Sequence, residues 1–138
     1  MRLLLVSVAS FVLAACGNGS SDFAGPSAAI EALSVLDDVS GCHEVPESEI
    51  DAANAASMVF CGWQIGSIAG FVTVPFFDSE EDASDYAAQA CTGNSRTSRV
   101  FYSDGNRWVV LGLSTPESVL AEIASATGIE VDSSCGTR

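Results

Sequence analysis

Asp104-Gly105 joins two runs with strand signals, residues 97–103 and 106–113. A two-residue Asp-Gly connection suits the positive-φ turn whose twist matches that of paired strands. The two runs are therefore predicted to fold back as an antiparallel hairpin. Its register sets Ser103 opposite Asn106, Tyr102 opposite Arg107, Phe101 opposite Trp108, and Arg99 opposite Val110. Side chains alternate between the faces of a strand. Arg99, Phe101, Trp108 and Val110 then share one face, and Val100, Val109, Leu111 and Leu113 the other.

The remaining periodicities extend this into a fold. Residues 58–63 and 68–77 read as a first hairpin about Gln64-Ile65-Gly66-Ser67. Three helices flank the hairpins. Ser27 after Pro26 caps the first, with Ala29, Ile30, Leu33, Leu36 and Val39 on one stripe. Ser79 with Asp82 three residues on is a capping-box pattern for the second, whose apolar face is Ala83, Tyr86, Ala87 and Ala90. The third starts at Thr115-Pro116, carries Val119, Leu120, Ile123 and Ala124, and stops at Gly128. The order is α-ββ-α-ββ-α, whose second part is a topological echo of two ββα units. The expected fold class is α+β, a four-stranded antiparallel sheet with helices packed on one face. Residues 44–56 are ambiguous between a long loop and a short helix.

The N-terminus sets the address. Arg2 precedes an apolar run over residues 3–12, followed by Leu13-Ala14-Ala15-Cys16. The run falls short of the ~20 residues needed to span a bilayer and has the length of a cleavable signal. The arrangement resembles a bacterial lipoprotein signal peptide ending in a lipobox. The resemblance implies cleavage after residue 15, acylation of Cys16 by a diacylglyceryl or palmitate-bearing anchor, and an extracytoplasmic protein held to a bacterial membrane. The alternative is an ordinary secretory signal cut elsewhere. Residues 16–26 are rich in Gly and Ser and read as a flexible tether. Residues 27–138 form one α+β domain of ordinary size. In its lack of lysine, its many alanines and its paired cysteines, this body resembles small envelope lipoproteins of GC-rich bacteria, a likeness of composition that transfers no residue roles.

Beyond Cys16 the chain holds Cys42, Cys61, Cys91 and Cys135. An even set in an exported domain reads as two disulfides. Of three possible connectivities, Cys42–Cys61 with Cys91–Cys135 is preferred. With no C-x-x-C pair and one histidine, zinc is disfavoured, and neither metal nor cofactor is implied.

Charge excludes some partners. The 138 residues carry 18 acidic and five basic side chains, a formal net charge of −13. Nucleic acid requires a basic footprint, and an anionic lipid surface would repel this chain. Removal of residues 1–15 takes Arg2 and leaves four cations, three of them Arg96, Arg99 and Arg107.

That clustering makes the Arg99, Phe101, Trp108 face, with Arg107 at its tip, the expected binding surface for a small anionic or aromatic ligand or an envelope protein. The competing reading is aromatic packing inside the core, covered by the first helix or by residues 44–56. The acidic run Asp78-Ser79-Glu80-Glu81-Asp82 lacks the spacing and glycine of a calcium loop, and suits a helix N-terminus instead. His43 follows a cysteine expected to be oxidised, which argues against a Cys-His nucleophile. No G-x-S-x-G, phosphate-cradling glycine loop or H-E-x-x-H occurs, and no residue is assigned a catalytic role. The expectation is a non-enzymatic, lipid-anchored binding or accessory module. The alternatives are a structural or assembly component without a pocket, and a hydrolase with a dispersed acidic site.

Overall fold

The computed structural model describes residues 23–52, 54–93, 98–103 and 105–129. It is an α+β fold built on one antiparallel five-stranded sheet. The chain runs α1 (Pro26–Ser34), β1 (Val39–Glu44), a 3₁₀ turn (Glu47–Glu49), β2 (Ala55–Ile65), β3 (Ile68–Phe77), α2 (Glu80–Gly93), β4 (Ser98–Phe101), β5 (Val110–Leu113) and α3 (Glu117–Thr127). The strands lie in the order β1-β2-β3-β5-β4.

Strand β1 adds a strand to the four expected. The helical stripe was expected to reach Val39, but α1 ends at Ser34 and Val39 instead pairs with Trp63 at the start of β1. A bulge then breaks the alternation. Ser40 faces Gly62 and His43 faces Phe60, so Gly41 and Cys42 together oppose Cys61. Gly41 takes φ +61°, a left-handed conformation suited to glycine at such a bulge. The extra residue turns Cys42 onto the face that carries Cys61, and the two form a disulfide. Cys91 is also disulfide-bonded; its expected partner, Cys135, lies outside the described residues, as does Cys16.

The β2–β3 hairpin is longer and tighter than expected. Its ladder closes at Ile65 and Ile68, so the connection is the two residues Gly66-Ser67 rather than four. Gly66 adopts φ +59°, which a two-residue hairpin turn demands. The described residues of 44–56 hold a 3₁₀ turn and no α-helix.

Helices cover both faces of the sheet, not one. On the first face, Ala29 and Leu33 of α1 and Val119, Leu120 and Ile123 of α3 pack with Val59, Cys61, Trp63, Val72, Val74, Phe76, Phe101, Trp108 and Val110. On the second, Ala83 and Ala87 of α2 pack on Phe77, Val100 and Val109. The two ββα units thus send their helices to opposite faces. The caps follow local chemistry. The Asp82 N–H donates to Ser79 Oγ (3.1 Å) at the start of α2. The N-cap of α3 is Pro116, one residue later than Thr115. Gly128 ends α3 in the left-handed conformation, its N–H donating to the Ala124 carbonyl (2.8 Å). Pro26 occupies the first turn of α1 after Gly25, so Ser27 is not the cap.

Candidate functional site

The β4–β5 ladder is displaced from the register a two-residue turn would set. Phe101 faces Val110 rather than Trp108, and Arg99 faces Gly112 rather than Val110. The shift is two residues, so every side chain keeps its expected face. The physical reason lies in β3. Trp108 bridges Phe76, the Phe77 N–H donates to the Arg107 carbonyl (2.7 Å), and the Val109 N–H donates to the Pro75 carbonyl (3.2 Å). Residues 107–109 therefore pair with the end of β3 instead of closing against β4. Asp104 itself lies outside the described residues.

This displacement, together with the second layer of helices, removes the expected open patch. Phe101 and Trp108 are each 1% exposed, and Val110 is buried with them in the core under α1 and α3. Phe23, expected in the tether, lies on Trp108 with ring centroids 4.5 Å apart and is itself buried. The covering therefore includes a residue that Gly/Ser composition had assigned to the linker. Arg99 is half-buried and already engaged. Of the four predicted binding residues, Arg107 alone is exposed.

Arg107 and Trp108 nevertheless meet at a cleft. It lies at the end of the sheet where β2 begins and β3 finishes, and has a volume of about 430 Å³. Phe23 and Pro26 form one wall, Phe76 and Phe77 another, with Ser57 on the β2 side. Asp78 and Arg107 supply its charges, and both are exposed. Among the described residues no ion pair joins the two. Trp108 Nε1 and Asn106 Nδ2 are buried there or next to it with no hydrogen-bond partner among the described residues. Buried donors are ordinarily satisfied; of these two residues, Trp108 lines the cleft and Asn106 does not. Sequence reasoning reached Arg107 and Trp108 but missed Phe23, Phe76, Phe77 and Asp78. Asp78 was legible only as part of an acidic run.

The other candidates are placed as follows. Glu80, Glu81 and Asp82 occupy the first turn of α2. His43 is exposed on β1, its Nδ1 2.9 Å from the Gly41 carbonyl and its ring 5.4 Å from that of Phe60. Phe60 stacks on Phe71 (5.2 Å), and Phe71 is 44% exposed. This aromatic row lies on the sheet face that carries α2, beyond the part the helix covers. Tyr86 on α2 has its phenol raised above the ordinary value, chiefly by burial and secondarily by the charge of Asp51. No group of three or more His, Cys, Asp or Glu among the described residues could hold a metal ion. Among the described residues no helix is long and apolar enough to cross a membrane.

No protein family, curated protein or solved structure matches this chain.

Proposed function

We propose that the protein is a lipid-anchored, extracytoplasmic binding module of a bacterial cell envelope, non-enzymatic, which holds a small ligand in the cleft beside Arg107. The observation that carries this reading is the cleft itself. An arginine and an aspartate stand in it unpaired with each other, next to orphaned indole and amide donors. Its size falls within the ~300–1,000 Å³ usual for small-molecule sites. The Cys42–Cys61 disulfide supports an oxidising compartment, in keeping with the lipobox-like Leu13-Ala14-Ala15-Cys16. The pairing Cys91–Cys135 belongs to the same reading. A two-carboxylate hydrolytic site gains no support from this cleft, whose lining includes one carboxylate, Asp78.

The exposed Phe71 row favours a second reading, an accessory component that docks a protein partner through the sheet. One experiment addresses both. The full chain is purified from its host's membranes, with and without crosslinking, and analysed by mass spectrometry. A small molecule lost on Arg107→Met supports the binding module. A crosslinked protein lost on Phe71→Ser, with no small molecule, supports the accessory component. Cys16→Ser should move the protein from the membrane to the soluble fraction. Retention of that variant in the membrane would refute the anchor.

A further inference from the structure

We propose that the ligand of the cleft is a small zwitterion with an apolar body, of the size and chemistry of an apolar amino acid or dipeptide. Its carboxylate would sit on Arg107 and its ammonium on Asp78. This rests on the reading of the chain as a binding module and names the class of ligand.

The argument begins from charge. Asp78 and Arg107 belong to neighbouring segments, because the backbone of Phe77 bonds that of Arg107. Both side chains are exposed, both line the same cleft, and neither neutralises the other. A ligand with one charge only would meet one of them unfavourably. A simple anion would also be repelled by a chain of net charge −13. A simple cation would meet Arg107. A zwitterion satisfies both groups and carries no net charge against the field.

The uncharged groups point the same way. Trp108 Nε1 and Asn106 Nδ2 are donors without acceptors. An arginine binds a carboxylate through two parallel N–H bonds. Phe23, Phe76 and Phe77 are among the lining residues, nearly buried, and offer ring contact to an apolar group of the ligand within an otherwise mainly polar cleft. A volume of about 430 Å³ admits an amino acid or a dipeptide.

The test uses the purified full chain in detergent and titration calorimetry with the dipeptide Ala-Phe. Two capped analogues accompany it: N-acetyl-Ala-Phe, which lacks the ammonium, and Ala-Phe amide, which lacks the carboxylate. Ala-Phe is expected to bind saturably, and each cap to weaken binding by roughly tenfold or more. Arg107→Met should bind Ala-Phe and its amide equally. Asp78→Asn should bind Ala-Phe and its acetylated form equally. Both variants change exposed side chains, and circular dichroism verifies that they fold. Absence of saturable binding at about millimolar Ala-Phe, or equal binding of all three compounds by the unaltered protein, would overturn the proposal. Failure of the binding-module reading looks different. If membranes yield a ligand of another class that Arg107→Met loses, the zwitterion is wrong and the module stands. If they yield none and Ala-Phe does not bind, both fall.

Discussion

Phe23 packs its ring on Trp108 at a centroid distance of 4.5 Å, joining the first described residue to the strand segment that pairs with the end of β3. The contact has two effects. It buries an indole that the hairpin alone would leave open, and it holds the wall of the cleft that precedes α1. Phe23→Ala should therefore cost about 3 kcal/mol, the lower end for a buried phenylalanine. Urea denaturation followed by tryptophan fluorescence checks this. A loss of less than about 0.5 kcal/mol, the range of surface substitutions, would mean that the ring does not seal the core.

The cross-strand disulfide ties β1 to the sheet. Cys42 and Cys61 are separated by 19 positions, and a loop of that length stabilises by about 3 kcal/mol in the chain-entropy account. The pair Cys42→Ala/Cys61→Ala should lose at least that much, because Cys61 is also fully buried. The check is a denaturation midpoint compared with that of the oxidised parent. A reducing agent should destabilise the parent more than the double variant, in which only the bond at Cys91 is left to break.

Much of this fold was legible because its signals are local. Ser79 caps through a bond three residues away, Gly128 stops a helix by its own φ, and the apolar stripe of α3 repeats every three or four positions. The faces of Phe101 and Val100 followed from alternation alone. What was hidden depended on distant partners. Strand β1 buries one large apolar residue, Val39, and its bulge exists only in the pairing with β2. The cleft draws on segments around Phe23, Ser57, Phe76 and Arg107, which no window of sequence brings together. Burial of Trp108 could not be read from the hairpin, since its cover comes from the far end of the chain.

Gly70 tests the packing of the long hairpin. It faces Trp63 across β2 and β3, and a Cβ there would lie less than 3.0 Å from three atoms of the indole. Gly70→Ala should destabilise by about 1–3 kcal/mol through overpacking. Trimming the indole should relieve part of this. In a double-mutant cycle, Trp63→Phe with Gly70→Ala should cost less than the sum of the two single changes. Strict additivity would show that the glycine is not kept clear for the ring.

Tyr86 gives a pH dependence of defined sign. Burial first, and the Asp51 charge second, raise its phenol above 10.0. The folded state then holds the proton after the unfolded chain has released it, so stability is unaffected below pH 10.0 and falls as pH rises through the folded value. The chain has two tyrosines, Tyr86 and Tyr102. In an alkaline titration of phenolate absorbance, Tyr86→Phe should delete a component that ionises above pH 10.0. It should also flatten the alkaline decline in stability. An unchanged curve would place the buried phenol elsewhere.

The bulge at Gly41 and Cys42 has a consequence for molecules crowded side by side. A sheet with free edges offers unpaired N–H and C=O groups to its neighbours, and long flat edges promote aggregation. Here one edge is β1, kinked by the bulge and ending in the exposed carboxylate of Glu44, and the other is β4, four residues long. Neither provides a straight run on which a second copy could extend the ladder. The device that aims Cys42 at Cys61 thus also disfavours edge-to-edge pairing of the outer strand with a second copy.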